Sequence, residues 1–177
     1  MCTNARALSL MTAAVAGLLL LICSAQAQFL PDDAQNLKTA PEVERLFVVK
    51  TAENLLTEKA KRMFNDPENA KDGFMWARKV IARHYAGLET LAGELSTDEL
   101  ARFYAEKAGL FVKSVRGEIS DSQFEQMEIE LERRKSAYFE TIIGTAKPTR
   151  NPDFDTLNRI AKTAASKVHS YSALSVD

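Results

Sequence analysis

The chain has 177 residues, 46% of them hydrophobic and 27% charged, with 23 Lys and Arg set against 24 Asp and Glu. That is the composition of a globular domain rather than of a disordered or low-complexity chain. The near balance of charge excludes steering to nucleic acid or to anionic lipid.

The amino-terminal stretch carries the first signal. Arg6 precedes an uncharged run from Ala7 to Ala25, densest from Leu18 to Ile22, which ends in Ser24, Ala25, Gln26 and Ala27. A charged start, an apolar centre and an A-x-A site are the three parts of a secretory signal, so residues 1–27 are expected to be a signal peptide cut before Gln28. An uncleaved anchor is the alternative, since the run just suffices for a bilayer of about 30 Å. A lipid-modified start at Cys23 is disfavoured by Ile22, where that processing requires a small residue. Cleavage removes Cys2 and Cys23, the only cysteines. The remainder then has no disulfide framework, no thiolate nucleophile and no Cys-ligated zinc. It also removes Arg6, leaving 22 basic against 24 acidic residues, a net charge of −2. The expected location is periplasmic or secreted, with no stable membrane insertion after cleavage.

The rest reads as all-α: a single bundle of four to five helices over residues 41–169. An extended segment, 28–40, precedes it and a flexible tail, 170–177, follows. The first helix is expected from about Pro41 to Phe64, with Thr39 and Glu42 as a capping box. Its stripe is Val48, Val49, Ala52, Leu55, Leu56, Ala60, Met63 and Phe64. A turn at Asp72 and Gly73 leads to the second helix, about Phe74 to Ala92. There Trp76, Ala77, Val80, Ile81, His84, Leu88, Leu91 and Leu95 share one face, and Gly93 is placed to end the helix as a left-handed cap.

Ser96 and Glu99 form a capping-box pattern for the third helix, with Leu95 stapled onto Leu100. Leu100, Phe103, Tyr104, Phe111 and Val115 follow, up to Gly117. Ser120 and Gln123 repeat the pattern, with Ile119 and Phe124 as the staple. So short a connection makes the third and fourth helices an antiparallel hairpin. The fourth, about Asp121 to Ile143, carries Phe124, Met127, Leu131, Tyr138 and Ile142 and closes at Gly144. Lys147 to Arg150 is a linker, Asn151 and Pro152 are a cap and first-turn pair, and the fifth helix carries Phe154, Leu157, Ile160, Ala161, Ala164 and Val168.

Few residues suggest chemistry. His84 lies in the middle of an apolar stripe, where an unpartnered polar group costs about 1–3 kcal/mol. It reads as a core histidine with a hydrogen-bond partner, or else as a weak candidate for binding a cofactor. Gly87 and Leu88 stand at i+3 and i+4, so no local ligand pair exists. His169 falls off its stripe and is expected in water. Lys107 is expected to pack its methylenes while its ammonium reaches solvent. The charged run from Glu125 to Lys135 reads as a solvated face with a Glu130–Arg134 pair. No catalytic residue, metal site or cofactor is expected.

The leading expectation is an exported, non-enzymatic helical protein of the bacterial envelope. It would act through protein–protein contacts, in secretion or toward a host, with a protein partner and no nucleic acid. The alternative is a carrier of a small apolar ligand or cofactor in the bundle core, its aromatic residues lining a pocket between the second and fourth helices. An enzyme of unknown type ranks third.

Overall fold

The computed structural model describes residues 28–69, 73–145 and 152–174. The signal peptide assigned to 1–27, Asp72 of the first turn, the linker at 147–150, the Asn151 cap and the last three residues of the tail lie outside the described residues. A 3₁₀ segment, Asp32–Thr39, leads into five α-helices: α1 (Glu42–Phe64), α2 (Gly73–Glu94), α3 (Asp98–Val115), α4 (Asp121–Thr145) and α5 (Phe154–Leu174). There is no strand among the described residues, and none of these helices is long and apolar enough to cross a membrane.

Side-chain pairs set the directions. Phe64 meets Trp76 edge-on at 5.8 Å, and Tyr85 stacks at 6.0 Å on Tyr104, so α1, α2 and α3 alternate up and down. Phe111 meets Phe124 at 4.9 Å while Phe103 reaches Tyr138 at 6.0 Å, which makes α3 and α4 the antiparallel hairpin that the short connection implies. α5 lies across the seam of α1 and α2. Its first residue, Phe154, touches Phe47 near the start of α1, and Val168 seats against Gly87 of α2. A side chain at Gly87 would meet Val168 Cγ1 at 2.6 Å, so the absent Cβ allows this close approach. The main core runs through Val48, Val49, Leu56, Leu88, Leu91 and Leu100 to Ala161, Ala164 and Val168. A satellite of Ala82, Leu110, Phe111 and Phe124 lies under the α3–α4 turn.

The caps divide into one that forms as expected and three that differ. Ser120 Oγ accepts from the Gln123 N–H at 3.2 Å while Gln123 Oε1 accepts from the Ser120 N–H at 2.9 Å, a reciprocal box. Gly117, at φ +70°, turns the chain out of α3 before it. At the α2–α3 junction the left-handed residue is Ser96, at φ +52°, and not Gly93, which stays helical. The Ser96 N–H donates to Gly93 O and the Thr97 N–H to Ala92 O, so Ser96 ends α2 instead of capping α3. Glu99 pairs with Arg102. Thr39 donates to Asn36 O, closing the 3₁₀ segment instead of capping α1, and at the start of α5 Asp153 accepts from the N–H and hydroxyl of Thr156.

The segment 28–40 is extended only at its edges, as at Pro31 and Ala40, and is 3₁₀-helical from Asp32 to Thr39. Phe29, Leu30, Ala34 and Leu37 are buried in the main core, and the N–H groups of Phe29 and Leu30 donate to the two carboxylate oxygens of Glu94, at 2.9 and 2.7 Å. Apolar side chains on a 3₁₀ turn reach one face at i and i+3, which Ala34 and Leu37 do here. α5 likewise continues past 169 to Leu174, with Ser172 buried, so the helix takes in most of the segment assigned to a tail. α4 runs through Gly144 to Thr145, and Met127 points outward from it.

Candidate functional site

Four polar residues that share the helical stripes with apolar neighbours meet at the centre of the bundle. Lys135 of α4 donates to Glu53 of α1 at 2.7 Å and pairs with Glu132 at 2.9 Å. Lys107 of α3 bonds Glu132 and lies 3.2 Å from Glu128, with the Tyr85 ring 4.7 Å from its ammonium. Glu53, Lys107 and Lys135 are all buried. Burial alone raises a carboxyl pKa and lowers that of an ammonium. At Glu53 burial is outweighed by Lys135 and Lys50, and the pKa is lowered; at Lys135 burial is outweighed by Glu53 and Glu132, and it is raised. Lys107 is raised too, with Tyr85 and Glu132 outweighing its burial.

This corrects two expectations. The Lys107 ammonium does not reach water, and the charged run on α4 is not wholly a solvated face. Glu132 and Lys135 turn inward, while Glu130 pairs with Arg133 and Arg134 reaches across to Glu106. A lysine held as an ammonium at neutral pH is neither nucleophile nor base.

Beside this network lies a cavity of about 290 Å³ between α1 and α2, with Phe111 and Glu128 closing its far side. Its wall is mostly apolar: Leu56, Ala60, Phe64, Ile81 and Leu88, with Glu53, Thr57, Lys61, His84 and Tyr85 as the polar members. A second, more open cleft of about 540 Å³ adjoins it toward Phe74 and Trp76, and the two share Phe64, Ile81, Phe111 and Glu128. The inner cavity thus lies chiefly between the first and second helices rather than between the second and fourth as expected, while the outer cleft reaches Phe124 and Glu128 of α4; Phe103, Tyr104, Tyr138 and Phe139 line neither.

His84 is buried, as its place in the stripe implies, but the expected partner is missing. Its Nε2 has no hydrogen-bond partner among the described residues. The His169 ring stands 5.6 Å away, half-buried on α5 with its own Nδ1 unpartnered, rather than in water. Burial first, then His169 and Lys59, depress the His84 pKa to about 4, so the ring is neutral at pH 7. Two histidines are too few for a metal cage, and no group of three or more His, Cys, Asp or Glu among the described residues could hold an ion.

The sequence alone does not reveal this charge network, because each of its residues also fits a helix face turned to solvent. The available signal was spacing: Glu53 stands one turn from Val49 and Leu56, and Lys135 one turn from Leu131 and Tyr138. Compared with known proteins, the chain matches no family model, no curated protein and no solved structure.

Proposed function

We propose that the chain is an exported, non-enzymatic binding protein of the bacterial envelope whose bundle holds a small, largely apolar ligand. The observation that carries this reading is the cavity between α1 and α2. It combines an apolar wall, a few convergent polar groups and a histidine with a strongly shifted pKa, which together mark ligand sites in folded domains. The signal-like amino terminus supports export to the periplasm or beyond. Native mass spectrometry of protein purified without denaturant from the cells that make it tests the reading. A bound mass that leaves on denaturation, and is absent from the cavity-filling Ala60→Phe protein, is expected. Identical masses for parent and variant would overturn it.

A second reading keeps the protein partner. On α4, Met127 and the 63% exposed Ile129 stand apolar among charged neighbours, as contact residues at interfaces do. If they dock a partner, Ile129→Glu should abolish its capture while leaving the helical spectrum intact; capture unchanged by that substitution would remove this reading.

A further inference from the structure

We infer that α4 pairs with the α4 of a second copy of this chain, antiparallel about a twofold axis at Ser136. This rests on the second reading above, in which α4 is a contact face, and is independent of the cavity. The first argument is how little of α4 the bundle uses. Phe124, Leu131 and Lys135 are the buried residues of its 25, so the helix lies at the edge of the bundle and turns one side to it. On the opposite side Ile129, Arg133, Ser136, Glu140 and Ile143 are all exposed, the two isoleucines at 63% and 64%. Their spacing of four, three, four and three keeps them within an arc of about 80° over a length of about 21 Å.

The second argument is symmetry. Two identical copies related by a twofold axis use one patch twice, so residue i meets j and j meets i. Read outward from Ser136 in either direction, the stripe has the same outline: a charge, then an isoleucine. The two charges have opposite sign. Antiparallel pairing therefore sets Ile129 of each copy against Ile143 of the other, and Arg133 beside Glu140, with the small serine at the crossing. Parallel pairing of the same stripe would set Arg133 against Arg133 and Glu140 against Glu140, contacts that count against it.

The third argument is that both charges are open to a second partner. The Glu140 carboxylate has no ion pair among the described residues. Arg133 meets Glu130 through Nε and Nη2 in an exposed pair one turn away, which leaves Nη1 for another carboxylate. One helix against one helix is at the small end of specific interfaces, so the dimer should come apart on dilution.

Sedimentation velocity of the purified protein over about 1–300 µM tests this. The parent should pass from monomer to dimer as concentration rises, and Ile143→Glu should stay monomeric throughout. Arg133→Glu and Glu140→Arg should each weaken the dimer about tenfold, since each creates two like-charge contacts across the axis. An equimolar mixture of these two variants should regain the parent's dimer, because each then carries the charges that match the other. All these side chains are exposed, so the helical circular dichroism spectrum should be unchanged in every variant. A parent that is monomeric at every concentration would overturn the second copy as occupant; if it still captured another protein through Ile129, the contact face itself would stand. A dimer untouched by the two charge variants, or not regained in their mixture, would overturn this pairing.

Discussion

Replacing Lys135 by alanine removes one side of the most buried ion pair in the bundle. The ammonium lies 2.7 Å from Glu53, and the two side chains are only 5% and 6% exposed. At an effective dielectric of 20, unit charges at that 2.7 Å separation attract by about 6 kcal/mol, and desolvation of the two ions offsets most of it. The substitution deletes the attraction yet leaves the carboxylate out of water, and breaking a buried pair from one side costs about 3–5 kcal/mol. Lys50 also sits 2.7 Å from Glu53, but it is 43% exposed and holds only a screened share. That places the expected loss near the lower figure, about 3 kcal/mol. Urea unfolding followed by Trp76 fluorescence and circular dichroism, with a slope of about 1–3 kcal/mol/M, should then show a midpoint lower by about 1–3 M. The double variant Lys135→Met, Glu53→Leu should recover most of the loss, since an apolar pair leaves no uncompensated charge. A loss below about 1 kcal/mol in the single variant, the value of an exposed pair, would refute the view that these charges are desolvated.

Four further outcomes are expected. Gly87→Ala should destabilise by about 1–3 kcal/mol through overpacking, because its Cβ would fall 2.6 Å from Val168 Cγ1; Val168→Ala in the same chain should relieve part of the loss in a thermal melt. Ser120→Ala should cost about 0.5–2 kcal/mol as a lost cap. Ser96→Gly, at a left-handed position, should instead raise the melting temperature, by about 2–4 °C for each kcal/mol of relieved strain. Acidification should weaken the fold through His84. Its folded pKa of about 4 lies below the unfolded 6.5, so its stabilising share is full above pH 6.5 and is lost as pH falls through about 4. The loss approaches about 3 kcal/mol, and it should be absent from His84→Phe, in which the neighbouring His169 and Lys59 are unchanged.

The helices were legible because their stripes repeat every three or four residues, and the site residues obey the same spacing. Val49, Glu53, Leu56 and Ala60 step by four, three and four; so do Leu100, Tyr104, Lys107 and Phe111, and Phe124, Glu128, Leu131 and Lys135. The polar members of these seams, Glu53, Lys107 and Lys135, meet one another or Glu132 where the helices cross. Their identities could be read from the stripes, but their partnership could not: Glu53 and Lys135 are 82 residues apart in sequence, and the fold alone brings them together. Ser96 misled for a related reason. Serine before an acidic turn is a common helix start, and the hydrogen bonds of the preceding helix claimed it first. Residues 28–40 carry too few apolar positions for a period to show, so their burial depends on a groove that other helices build.

The placement of the two ends has a kinetic consequence. Phe29 rests against Tyr171 with ring centroids 6.1 Å apart, Asp33 pairs with Arg159 at 2.8 Å, and α5 covers the seam that α1 and α2 leave open. Contacts between segments so far apart in sequence close a long loop, and that loop entropy is met before the contacts give anything back. Until α5 docks, α1 and α2 have an uncovered seam and the 3₁₀ segment lacks its Arg159 and Tyr171 contacts. Docking of α5 should therefore be a late step in folding, and it secures the leading segment and the seam together.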